Sequence, residues 1–220
     1  MKLAILLPGY LDSPEYLHFR VFAERLSQLA YTVLPLDLCR LWESNDVANY
    51  SVTNTLKQIQ DTINSYPPEE IEEIILIGHS FGAFVSIIAA SRLDSISKVI
   101  ALCPPVKASK SKWPEKGLRH SERDLPNDSQ KFRSFSIPYS FAEDMESYSV
   151  LDEVKNIDKP LMVFIALEDQ SVDPADSEKI VESANNPYVV RQAGIGHSFR
   201  QSEQESQLVM SKIEEFLQET

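Results

Sequence analysis

Short apolar runs alternate along the chain with longer segments in which apolar residues recur every three or four positions. Leu3 to Pro8, Thr32 to Leu36, Ile74 to Ile77, Val99 to Leu102, Leu161 to Leu167 and Tyr188 to Arg191 have the length and composition of strands. Between them, Leu17, Val21, Phe22, Leu26 and Leu29 mark the buried face of a helix announced by Ser13-Pro14. Further helices are expected over 51–65, stopped by Pro67-Pro68, and from Phe81 to about Leu93. A short one surrounds 150–154, and another follows the Asp173-Pro174 cap. The last is opened by the capping box Ser202-Glu203-Gln204-Glu205, with Val209, Ile213 and Phe216 as its apolar face. Strand and helix in turn predict an α/β domain with a six-stranded, mostly parallel sheet covered on both faces. The unbroken apolar run Ile74-Ile75-Leu76-Ile77 fits a central strand of such a sheet, buried on both sides.

The pattern fails once, between the fourth and fifth strands. From Pro104 to about Pro138 the apolar period disappears, and residues 107–133 hold eight Lys/Arg against four Asp/Glu. A loop of this length is expected to be a functional lid or an unstructured insert. A basic lid on an acidic protein would draw an anionic acyl or leaving group to the mouth of a site, although such a run is more often simply solvated.

Charge and composition narrow the function classes. At 220 residues the chain is expected to form one domain, 1–220, with 104–138 as an insert within it. A net charge of −12 repels phosphate backbones and anionic lipid, so nucleic acid and membrane surfaces are not expected partners, and a small molecule is. Cys39 and Cys103 are too few for a disulfide framework or a metal cluster and read as buried thiols. The apolar start is short, lacks a small-residue cleavage site and reads as a strand, which favours the cytoplasm. No stretch approaches the length of a membrane span.

One pentapeptide carries chemistry. Gly78-His79-Ser80-Phe81-Gly82 follows a strand and opens a helix, and the Gly-x-Ser-x-Gly pattern encodes a sharp turn that exposes the serine Oγ. With six glycines and 26 serines in the chain, the pattern is expected by chance only about 0.02 times. Five of the six glycines fall at candidate site loops: Gly9 after the first strand, Gly78 and Gly82 around Ser80, and Gly194 and Gly196 beside His197. No Walker loop, dinucleotide fingerprint, His-Glu-x-x-His or cysteine–histidine cluster is present, so neither cofactor nor metal is expected.

Strand order, the turn at Ser80 and the later acid and histidine resemble the α/β-hydrolase superfamily over nearly the whole chain. The resemblance implies a triad in the order serine, acid, histidine. Ser80 is then the nucleophile and His197, in Gly194-Ile195-Gly196-His197-Ser198-Phe199, the base. His79 is expected to pack structurally inside the turn, His18 to lie near the surface and His120 to belong to the charged insert. For the acid, Asp169-Gln170-Ser171-Val172 is similar to the family's acid turn, which favours Asp169. Glu168 and Asp173 are the rivals, and Asp173 has an alternative use as a helix cap. Backbone N–H groups of Phe81 and Tyr10 are the expected oxyanion donors, with Leu11 in reserve; Pro8 stands where the family commonly has histidine.

The activity implied is that of a serine hydrolase, a carboxylesterase foremost, acting through an acyl-enzyme. A thioesterase, amidase or acyltransferase would use the same triad, and a catalytically silent binding protein of this fold is the alternative of another class. Leu11, Tyr139 and Phe141 are candidate substrate contacts. Oligomeric state leaves no trace in the sequence.

Overall fold

The structure is a computed structural model and describes residues 1–107, 113 and 117–220. Part of the basic insert, 108–112 and 114–116, therefore lies outside the described residues. Strands β1 (Lys2–Leu7), β2 (Tyr31–Pro35), β3 (Glu73–His79), β4 (Lys98–Leu102), β7 (Leu161–Ala166) and β8 (Tyr188–Gln192) form one sheet in the order β2-β1-β3-β4-β7-β8. All five pairings are parallel, with Leu6 of β1 opposite Ile77 of β3 and Ile77 opposite Ile100 of β4.

Because side chains alternate along a strand, each apolar run feeds two cores. Ala4, Leu6, Ile75, Ile77, Met162 and Phe164 meet helices α1 (Leu17–Gln28) and α8 (Glu203–Glu219). Leu3, Ile5, Leu7, Ile74, Leu76, Val163 and Ile165 meet the opposite layer. That layer holds α3 (Val52–Asn64), α4 (Phe81–Arg92), α6 (Val150–Glu153) and α7 (Pro174–Ser183). Helix α4 is buried from Phe81 to Ala90, and its apolar residues are distributed all round because the sheet lies on one side and α3 and α6 on another. Two small helices, α2 (Leu41–Ser44) and α5 (Ser140–Glu146), complete the set. No helix among the described residues is long and apolar enough to cross a membrane.

Helix α1 departs from expectation. Ser13 Oγ accepts from the Glu15 N–H and the Ser13 carbonyl from the Tyr16 N–H, so Ser13-Pro14 builds a turn, and the helix begins only at Leu17. Its buried face is His18, Phe19, Phe22 and Leu26, which moves His18 from the expected surface into the core. Removing Phe19 or Phe22 would cost about 3–5 kcal/mol by the usual cavity penalty.

The insert contains a β-hairpin, β5 (Leu118–Leu125) and β6 (Asp128–Pro138), closed by the two-residue turn Pro126-Asn127. It is fastened to the body through Phe135 and Ile137, both buried, and by the Tyr16 hydroxyl donating to the Asp124 carbonyl at 2.8 Å, while within the insert the Trp113 indole N–H donates to the Ile137 carbonyl. The inward positions of the hairpin include Arg119, Ser121, Arg123 and Arg133, so its period of two is carried largely by polar residues and leaves no apolar signature.

Candidate active site

Every loop of interest leaves the sheet at the C-terminal ends of its strands. The chain runs from β1 outward to β2 and then returns past β1 to β3, so the loops after β1 and β3 diverge and leave a crevice between them. Ser80 sits at the tip of the β3 loop with φ 53° and ψ −114°, a left-handed conformation that a serine adopts at a cost of about 1–3 kcal/mol. It is anchored on both sides, its N–H donating to the Leu102 carbonyl at 2.8 Å and its carbonyl accepting the Phe84 N–H at 3.0 Å. A Cβ on Gly78 would stand 2.3 Å from the Gly82 carbonyl oxygen, and one on Gly82 would stand 2.0 Å from that of Leu7. Both glycines are thus required for the chain to reverse between β3 and α4 against β1.

His197 Nδ1 donates to Asp169 Oδ2 at 2.6 Å, while Asp169 Oδ1 accepts the N–H groups of Ser171 and Val172, each at 2.8 Å. Burial raises the Asp169 carboxyl, but His197 and the two backbone donors outweigh it and hold the group below the ordinary carboxylate range. The rivals have other tasks. Asp173 Oδ1 caps α7 through the Ala175 N–H at 2.9 Å, and Glu168 accepts the Gly194 N–H at 2.8 Å. Glu168 thereby ties the loops after β7 and β8 together beside the Asp169–His197 pair.

Cys103, buried at the end of β4 with φ 51°, lies with Asp169 and His197 in a group whose side-chain donor atoms are within 4.8 Å of one another. Burial first, and then Asp169, push its thiol up, so it stays protonated beside the carboxylate rather than offering a thiolate. Cys39 is only half-buried. His79 is buried, and its Nε2–H donates to the His197 carbonyl at 2.9 Å, holding the histidine loop from below. His120 is exposed and bonded to the Ser136 hydroxyl.

Ser80 and His197 line a common cavity of about 340 Å³ with Tyr10, Phe81, Trp113 and Phe141 as its aromatic wall. Of the expected substrate contacts, Phe141 lines this cavity. Leu11 does not: its left-handed φ of 61° turns the side chain into the core, where it is 0% exposed. Tyr139, half-buried against the core at the start of α5, also lies outside the lining. The Leu11 N–H donates to the Tyr50 hydroxyl at 2.9 Å and its carbonyl accepts the Trp42 indole at 3.2 Å, which removes Leu11 as an oxyanion donor and leaves Tyr10.

The structure adds residues that sequence reasoning missed. Asp12 is buried in the loop after β1 and accepts from Arg200 Nη1 at 2.6 Å, with Arg123 Nε at 3.3 Å. Arg200 Nη2 donates to Asp124 at 2.5 Å, and Arg123 Nη2 to the Tyr10 carbonyl at 2.9 Å. Burial raises Asp12, yet His79, Arg200 and Arg123 together hold it far below the ordinary value, so it is charged. The only local hints were an acid five residues after the β1 strand and an arginine three after His197.

A sheet with this order, a strained serine after β3, and a histidine bonded to an acid together form a hydrolase scaffold. The sequence profile of the alpha/beta hydrolase family matches residues 4–207, and the chain belongs to that family. Among solved structures it is similar to Est1E from Butyrivibrio proteoclasticus, with 18% identity and a TM-score of 0.73 over 99% of this chain and 87% of that one. It is also similar to the metagenome-derived lipolytic enzymes LipS and LipT, with 13% identity and a TM-score of 0.75 over 100% and 94%. The esterase Pf2001 of Pyrococcus furiosus is similar at 21% identity, with a TM-score of 0.67 over 99% and 82%. None of the curated proteins compared matches the sequence.

Proposed function

We propose that the protein is a serine hydrolase that cleaves small carboxylic esters through a covalent acyl-enzyme. The observation that supports it most is the 2.6 Å bond from His197 to Asp169 beside a cavity shared with Ser80. With Nδ1–H held by the carboxylate, the imidazole keeps Nε2 unprotonated and ready to accept a proton. Ser80 Oγ attacks the ester carbonyl carbon as its proton passes to Nε2, and Asp169 stabilises the imidazolium. Backbone N–H groups of Phe81 and Tyr10 receive the negative oxygen. His197 then protonates the departing alkoxide, and water repeats the two steps to release the acid.

The ester class draws on the similarity to proteins described as esterases and lipolytic enzymes. The strain at Ser80 favours a catalytic use over a silent binding protein, because strained backbone is retained preferentially at functional sites. Labelling with a fluorophosphonate tests the reading. The wild type is expected to take up one phosphonyl group on Ser80 and to hydrolyse p-nitrophenyl butyrate, and Ser80→Ala to do neither. An unreactive wild type, or label retained in Ser80→Ala, overturns it.

A further inference from the structure

The cavity beside Ser80 is basic although the protein carries a charge of −12. Among the described residues its lining holds Lys107, Arg119, Arg123 and Arg200 against the single carboxylate of Asp12. Two of these arginines are committed. Arg200 bridges Asp12 and Asp124, and Arg123 is fixed on the Tyr10 and Glu122 carbonyls with its Nε facing Asp12. Between them they neutralise Asp12.

Arg119 is different. Its guanidinium lies over the faces of Tyr10 and Trp113, 5.0 and 4.8 Å from their ring centroids, and no carboxylate among the described residues pairs with it. Stacking of this kind fixes the guanidinium while leaving its in-plane N–H donors for another group. Beside it the Tyr10 hydroxyl is buried and faces the Ser121 side chain, and among the described residues it completes no hydrogen bond of normal geometry. Burial pushes that phenol up to about 12, so it remains a donor.

We propose that this corner of the cavity is a carboxylate subsite: the substrate is a small ester that carries, besides the scissile bond, an anionic carboxylate received by Arg119 and the Tyr10 hydroxyl. The proposal rests on Ser80 being the nucleophile, since it is the shared cavity that sets the subsite beside the reacting bond. A volume of about 340 Å³ suits a small dicarboxylic monoester rather than a long acyl chain. A planar carboxylate also matches the two parallel donors of a guanidinium better than a point charge would, which distinguishes Arg119 from a lysine. Lys107, on the same lining, adds to the field that draws the anion in.

The test compares p-nitrophenyl hemisuccinate with p-nitrophenyl butyrate, esters of the same chain length with and without the terminal carboxylate. The wild type is expected to show kcat/KM at least tenfold higher for the hemisuccinate, with the preference shrinking as salt is raised. In Arg119→Gln the ratio is expected to fall to about one, through KM, and Arg119→Lys to recover only part of it. A wild-type ratio of one or less, or an unchanged ratio in Arg119→Gln, overturns the subsite. If Arg119→Gln does not fold, the wild-type ratio and its salt dependence decide alone.

Calorimetric titration with glutarate keeps this inference separate from the one about catalysis. Saturable binding by the wild type, weakened at least tenfold in Arg119→Gln, supports the subsite even if no ester is turned over. Absence of binding together with normal butyrate hydrolysis and Ser80 labelling overturns the subsite and leaves the hydrolase intact.

Discussion

Arg200 donates to Asp12 across 188 residues of sequence, joining the loop that carries Tyr10 to the turn that follows His197. Both segments line the cavity beside Ser80, and this ion pair links them directly. Removing Arg200 leaves Asp12 with only the longer Arg123 and His79 contacts, and removing Asp12 leaves Arg200 with Asp124, so the cost falls at the lower end of the about 3–5 kcal/mol of a broken buried pair. Arg200→Met is therefore expected to lower stability by about 3 kcal/mol and kcat/KM for butyrate by at least tenfold. Asp12→Asn should do the same, and the double variant should be less destabilised than the sum of the two. Strictly additive losses in urea unfolding would refute the coupling.

The same carboxylate has a pH signature. Its folded pKa lies below its unfolded value of 3.8, so the stability it contributes is fully present above that value and is lost as pH falls toward the folded pKa. The stability gap between wild type and Asp12→Asn should stay constant from pH 5 to 8 and narrow below pH 4, as read from urea midpoints.

His18 predicts a second acid-sensitive window. Burial, then His79, hold its pKa well below 6.5, and neither ring nitrogen has a hydrogen-bond partner among the described residues. The folded state keeps it neutral while the unfolded chain takes up a proton below pH 6.5, so stability falls as pH drops from there, by up to about 1.4 kcal/mol per pH unit. His18→Leu, surrounded by Phe19, Phe22 and Phe199, should flatten that slope between pH 6.5 and 5. A slope unchanged by the substitution would show that another group, such as His79, is responsible.

Two acids four residues apart should separate cleanly. Asp169→Asn removes the acceptor that fixes the His197 tautomer and is expected to lower kcat by about 10⁴-fold. Asp173→Asn keeps a side-chain oxygen for the Ala175 N–H and should cost a few tenths of a kcal/mol, while Asp173→Ala should cost about 1 kcal/mol. Both should leave kcat within twofold. Comparable losses of activity in Asp169→Asn and Asp173→Asn would reject the assignment.

Ser80→Gly offers a trade between strain and chemistry. At φ 53° a glycine is free of the penalty a serine bears, so the variant should melt at a higher temperature, with about 1 kcal/mol of added stability, and lose esterase activity. A melting temperature equal to or below that of the wild type would mean the strain is offset by contacts of the Ser80 side chain.

Much of this site was readable in one dimension because its parts are local. Ser80 announces itself through Gly78 and Gly82, whose missing side chains leave room for a turn that begins and ends within five residues. The acid turn and the histidine loop each follow a strand whose apolar run is unmistakable. The hairpin over 118–138 was invisible for the opposite reason. Its inward face presents arginines to an aromatic wall, and no rule of apolar alternation registers a strand whose buried partner is a cation. His18 was misplaced because the turn at Ser13-Pro14 delays α1, rotating the helix so that His18 and Phe19 face the sheet where Leu17 and Val21 were expected.

By itself the sequence determined the alternation of strand and helix, the parallel sheet and the position of Ser80, since these follow from periods of two and 3.6 residues and from glycine sterics over short spans. Only the tertiary structure decided that Leu11 faces the core, that Asp12 is held by Arg200 and that Arg119 is left facing the cavity. Those outcomes depend on which charges meet after the strands have been ordered, and a Coulomb interaction, unlike a helical period, has no fixed spacing along the chain.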